Sequence, residues 1–207
     1  AHEALLSGFF IWRLLLVSER RRLPLTVFAV AKALERNPEA AAAFVEAGHE
    51  IAAHGLWWRN YQLTDPRVER DHLAQAVELI TALTGSRPLG WYTGRDSPST
   101  RRLVVEHGGF VYDSDSYADD LPYWTTVQTH DGPRAQLVLP YTLETNDMKF
   151  SSPAGFSTGR DFDHYLRDAF DGLYAEGLAG RPKMLNVGLH CRLAGRPART
   201  AALERFL

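Results

Sequence analysis

Two histidines stand directly behind short apolar runs: His54 after Glu50-Ile51-Ala52-Ala53, and His190 after Met184–Leu189. Imidazole titrates near neutral pH, so a histidine held at a strand end can take up or give back a proton during turnover, or ligate a metal. Other polar groups follow apolar runs in the same way: Arg95, Asp113, Asp115, Asp119, Asp120, Glu144, Asn146 and Asp147. One such residue alone is more often a turn former or a helix cap. The recurrence of ionisable groups behind successive apolar runs marks a site.

Spacing narrows the chemistry. The position four residues beyond His54 holds Trp58, and indole cannot ligate a metal as a second imidazole would. The remaining histidines do not fall into ligand-spaced clusters. No metal ligand is therefore assigned and no cofactor is expected, with zinc as the alternative. Cys191 is the single cysteine. A thiol nucleophile needs a base on a separate element, and a strand points neighbouring side chains to opposite faces, so His190 does not serve it and core packing is expected. No G-x-S-x-G segment and no glycine-rich phosphate loop occurs, which argues against a serine hydrolase or a nucleotide enzyme.

The elements that must carry these residues alternate. Strands are expected over Leu25–Val30, Glu50–Ala53, Leu89–Tyr92, Phe110–Tyr112, Gln136–Tyr141 and Met184–Leu189. Between them, helices are expected over 3–20, from Asn37-Pro38 to Ala47, from Asp65-Pro66 to Leu83, from Ser97-Pro98 to His107, and from Asp161 to about Glu176. Arg199–Leu207 also reads as helix. Asn or Asp before Pro is a helix start, and Gly48 and Gly85 are stops. Strands separated by helices imply a parallel sheet with its chemistry at the C-terminal strand ends, in a βα-barrel-like α/β fold.

The chain has 207 residues, 45% hydrophobic and 23% charged, with a formal net charge of -2. That suffices for one good core, and residues 1–207 are expected to form a single catalytic domain. There is no basic surplus for nucleic acid or an anionic membrane, so neither is expected as a partner. The apolar run Gly8–Val17 contains Arg13 and is too short to span a bilayer. One cysteine and the lack of a signal-peptide pattern point to the cytoplasm.

Longer segments carry a resemblance. Gly48–Gly55 resembles the second motif of the polysaccharide deacetylase (NodB-homology) superfamily. Leu89–Arg95 with Ser97-Pro98 resembles its arginine motif, and Val187–His190 its last, histidine-bearing motif. Tyr112–Asp115, Asp119–Trp124, Thr142–Asp147 and Gly188–Arg192 resemble the cofactor-independent allantoinase branch.

The resemblance implies a distorted (β/α) barrel that hydrolyses C–N bonds, its first strand with an acidic motif lying upstream of Ala1 and its last strand beyond Leu207. Metal-dependent deacetylases of the superfamily carry two histidines in the second motif. The first matches His54 and the second position is Trp58, which moves the reading toward an allantoinase. His190 is then expected as general acid to the leaving nitrogen, and His54 as the group that orients or deprotonates water. The general base is expected on the upstream first strand. Arg95 would hold acidic neighbours or ureide carbonyls; the other reading of Arg95 is a buried salt bridge to Asp113 or Asp115. Trp58, Trp91, Glu144, Asn146 and Asp115 are the candidate substrate-binding residues, for a small ureide. Asp119 and Asp120 are expected to brace a loop, and a homo-oligomer is expected. A metal-dependent N-deacetylase and a non-catalytic family member are the rival readings.

Overall fold

The apolar runs between the helices build a sheet, and the sheet sets where the polar strand ends lie. A computed structural model describes residues 2–207, with side chains from Phe10 onward. Its contacts divide the chain into two compact units.

One unit comprises Pro24–Ser116 and Pro122–Pro140. It holds β1 (Thr26–Ala29), α2 (Ala31–Glu35), α3 (Pro38–Glu46), β2 (Glu50–Ala53), α4 (Pro66–Thr84), β3 (Gly90–Trp91), α5 (Thr100–His107), β4 (Tyr112–Asp113), β5 (Tyr123–Thr129) and β6 (Gly132–Val138). The strand order is β1-β2-β3-β4-β6-β5. β1, β2, β3, β4 and β6 pair in parallel, and β5 pairs antiparallel with β6. The register Ala53↔Trp91, Trp91↔Asp113 and Asp113↔Val138 aligns the strand ends, so the residues that follow them share one edge.

Local chemistry explains the helices. Asp65 accepts a 2.7 Å bond from the Arg67 N–H and Pro66 follows it, while Gly85 closes α4 in the left-handed region at φ 75°. We expect Asp65→Ala to lower stability by about 1 kcal/mol in urea unfolding. Leu73, Ala76 and Ile80 of α4 are buried in the sheet unit. Glu69 of α4 is buried as well, where it accepts hydrogen bonds from Ser97 Oγ (2.6 Å) and Thr100 Oγ1. That carboxylate anchors the loop before α5. The helix starts at Thr100 and not at the expected Ser97-Pro98.

β5 is a strand that the sequence reading lacks. Its Tyr-Trp-Thr-Thr-Val-Gln-Thr run is aromatic and β-branched, and His130-Asp131 turns it into β6 before Gly132 at φ 101°. The expected strand over Gln136–Tyr141 is thereby shifted to Gly132–Val138.

The other unit comprises residues 1–23, Tyr117–Leu121 and Tyr141–Leu207. It holds α1 (His2–Arg21), a 3-10 turn over Asp147–Ser151, α6 (Gly159–Leu178), α7 (Cys191–Ala194) and α8 (Pro197–Phe206). Its core is Phe156, Phe162, Leu166, Ala202 and Leu203, with Phe150, Tyr165, Val187 and Leu189 packed on it. Thr158 caps α6, and Asp161, expected as the opener, sits one turn in and completes a reciprocal capping box. Met184–Leu189 is not a strand. Gly188 alone makes a parallel bridge, with Asn146, through Gly188 N–H to Thr145 O (3.2 Å) and Asp147 N–H to Gly188 O (3.0 Å). Among the described residues no helix is long and apolar enough to cross a membrane.

Candidate active site

In the sheet unit, β2 delivers His54. Its main-chain N–H donates to Ala29 O at 2.8 Å, which continues the β1–β2 ladder by one bond. Its ring stacks on Tyr92 at 5.1 Å and 16°. Nδ1 lies 2.7 Å from Tyr92 O. A carbonyl only accepts, so Nδ1 carries the proton and Nε2 is the basic nitrogen of the neutral ring.

Asp113 ends β4 and is 1% exposed. Arg101 of α5 grips it with a fork, Nε at 3.1 and 3.2 Å and Nη2 at 2.9 Å, and also donates from Nη2 to Asp115 O at 2.8 Å. Burial opposes the charge on Arg101, but the bonds and charge of Asp113 outweigh it and hold the guanidinium above its ordinary pKa. This ion pair corrects the alternative reading of Arg95: the guanidinium on Asp113 comes from the helix, not from the loop. Arg95 is exposed, with its guanidinium carbon 4.8 Å from the Trp58 ring centroid.

Asp115, expected to touch substrate, spends its half-buried carboxylate on the chain. It accepts from Thr93 N–H at 2.9 Å and Gly94 N–H at 2.7 Å. Burial pushes its pKa up to about 7, the charges of Asp96 and Asp113 add to the rise, and the two N–H donors pull it back. Trp91, also expected at the substrate, is a buried ring, 3% exposed, with Nε1 donating to Thr93 Oγ1 at 2.7 Å. Trp58 is half exposed, at 51%.

In the other unit, His190 is the residue before α7. Asp147, 0% exposed, holds it twice: Oδ1 lies 2.7 Å from Nδ1, and Oδ2 accepts the His190 N–H at 2.8 Å. Oδ2 also accepts Ala194 N–H at 2.9 Å. The carboxylate fixes the Nδ1–H tautomer and sets Nε2 as the exchanging nitrogen, while the ring remains partly open to solvent. Asn146 is buried: Nδ2 donates to Tyr141 OH (2.9 Å), and Oδ1 accepts from Met148 N–H (2.8 Å) and so caps the 3-10 turn. Glu144 is exposed and accepts from Tyr165 OH at 3.0 Å.

Asp119 accepts from the N–H groups of Asp120 and Leu121, and Asp120 pairs with Lys183 at 3.2 Å, the loop bracing expected of both. Cys191 opens a helix instead of continuing a strand. Burial pushes its thiol up to about 11, with the Asp147 charge adding, so it is a poor nucleophile at neutral pH.

The donor set does not fit a metal in the manner of a two-histidine motif. Indole occupies the second position, with a cation over its ring. Among the described residues no group of three or more His, Cys, Asp or Glu side chains is arranged to hold an ion.

The family profile described as polysaccharide deacetylase matches residues 8–108, a span that includes His54, Trp58 and Arg95. A Schizosaccharomyces pombe protein named as a polysaccharide deacetylase is 42% identical over 208 residues, covering 95% of this chain and 65% of the relative. A solved structure from Pseudomonas aeruginosa PAO1, also named as a polysaccharide deacetylase, is 59% identical with a TM-score of 0.92, covering 97% of this chain and 66% of that one. The chain belongs to the polysaccharide deacetylase family. Its α/β fold is that of the polysaccharide deacetylase structures, and within the family it is also similar to the solved PuuE allantoinase: 56% identity, TM-score 0.92, 97% of this chain and 66% of that chain. The chain thus spans about two thirds of the length of these three proteins.

Sequence reading missed Arg101 and the pairing of Asp147 with His190. Arg101 lies inside α5, where its direction depends on helix phase. Asp147 and His190 are separated by 43 positions, and no local spacing signals their bond.

Proposed function

We propose that the protein hydrolyses carbon–nitrogen bonds and opens the cyclic amide of allantoin to allantoate, as a metal-independent step of cytoplasmic ureide breakdown. The observation that carries this reading is Trp58 under the Arg95 guanidinium, where a metal-dependent relative would need its second histidine. The 56% identity to PuuE allantoinase supports the same substrate class.

Opening a cyclic amide requires an activated water, a stabilised oxyanion and a proton for the departing nitrogen. His190 is assigned the last task. Its Nδ1–H is tied to a buried carboxylate, so Nε2 is the nitrogen that can deliver a proton. His54, with Nδ1–H bound to a carbonyl, presents a basic Nε2 suited to holding or deprotonating water. Arg95 and Trp58 offer a cation and a flat ring to a planar polar ureide. The partner is therefore a small ureide.

The names of the Pseudomonas and fission-yeast relatives favour a second reading, N-deacetylation of an acetylated glycan. Product analysis separates the two. The purified full-length protein is given allantoin in one series and oligomers of N-acetylglucosamine in another. We expect allantoate and no acetate. Acetate release without ring opening would replace the first reading by the second.

A further inference from the structure

We propose that Asp115 is a positioning residue for His54, acting through the single peptide unit that joins Tyr92 to Thr93. The inference rests on the assignment of His54 to proton work and deepens it.

The C=O and N–H of a trans peptide are fixed on opposite sides of one plane. Here the C=O is Tyr92 O, 2.7 Å from His54 Nδ1, and the N–H is that of Thr93, 2.9 Å from both carboxylate oxygens of Asp115. A carboxylate acceptor on the N–H side does two things. It forbids a flip of the peptide, which would turn an N–H toward His54 Nδ1. It also polarises the amide, making Tyr92 O a stronger acceptor for the imidazole N–H. His54 and Asp115 thus form an imidazole–peptide–carboxylate chain, the indirect counterpart of the His190–Asp147 contact.

The surroundings hold both ends. Gly94 N–H gives Asp115 its second donor at 2.7 Å. Gly94 sits at φ +68°, and a Cβ there would lie 2.9 Å from the Tyr92 hydroxyl, so the turn is built for glycine. Tyr92 N–H is tied to Ala53 O at 2.9 Å, and Thr93 Oγ1 is held by Trp91 Nε1. On the carboxylate side, Arg101 clamps Asp115 O and Asp113, and Asp115 N–H reaches Asp113 Oδ1 at 3.3 Å. With the chain so fixed, the carboxylate of Asp115 has one job, the orientation of the turn that receives His54.

The test reads the His54 ring directly by 15N NMR in the full-length protein, beside steady-state kinetics. In the native protein neutral His54 is expected as a single Nδ1–H tautomer. In Asp115→Asn and Asp115→Ala the ring is expected to become a mixture of tautomers, with kcat lowered about 10–100-fold, the range in which outer partners of a ring nitrogen act, and KM close to native. Asp131→Asn, the same substitution at the exposed hairpin turn, is expected to leave both unchanged. An unchanged single tautomer in folded Asp115 variants would overturn the proposal. If neither variant folds, the native protein decides, because an Nε2–H tautomer there overturns it equally. Loss of the allantoin reading would void the kinetic arm and leave the tautomer arm intact, so the two failures are distinguishable.

Discussion

We expect Asp147→Asn to lower the proposed allantoin turnover by about 10⁴-fold, the cost of presenting a catalytic imidazole in the wrong tautomer. Asp147 is fully buried, and its two oxygens accept three hydrogen bonds, from His190 Nδ1, His190 N–H and Ala194 N–H. A carboxylate can do this because it has only acceptors. The amide of asparagine brings an NH2 group, and either orientation spoils one side. Turned toward the ring, it favours the Nε2–H tautomer and removes the imidazolium's counter-charge. Turned toward the backbone, it sets donor against donor at the start of α7, at a cost of about 1–3 kcal/mol in stability. His190→Ala should lose as much activity, and the double variant little more, because residues that act as one unit are not additive. Initial rates and thermal melting of the three variants check this. Near-native turnover in Asp147→Asn would remove the dyad from the mechanism.

The second large effect is on stability. Arg101→Met leaves the Asp113 carboxylate 1% exposed without its partner, which we expect to cost about 3–5 kcal/mol. For a chain of this size that corresponds to a Tm lower by roughly 6–20 °C. Asp113 ends β4 inside the parallel ladder, so the charge cannot reach water without breaking the sheet. The double variant Arg101→Met/Asp113→Asn should regain part of the loss, since it leaves no buried unpaired charge. Calorimetric melting of the two variants measures both. An unchanged Tm in Arg101→Met would show that the pair contributes nothing to the fold.

How far the sequence carried is visible in these two pairs. Apolar runs ended by polar residues are read easily, which is why His54, Asp113 and Asp115 were placed at strand ends that the register then aligned. Helix starts such as Asp65-Pro66 were legible because the cap chemistry is local. Contacts between distant segments were not. Asp147 meets His190 beside the bridge of Gly188 to Asn146, and the Asp113 partner is Arg101 of α5 and not Arg95. Trp91 and Asn146 have the residue types of a binding site, and the structure buries both and bonds them to their own neighbours. β5 carried its own signal in the aromatic and β-branched run before Asp131-Gly132.

The central claim is metal-free hydrolysis of a cyclic ureide. Its most direct test is the initial rate of allantoate formation by the purified full-length protein, before and after exhaustive treatment with chelator. The account predicts turnover that chelator leaves unchanged and added zinc does not raise. Turnover that disappears with chelator and returns with zinc would contradict it.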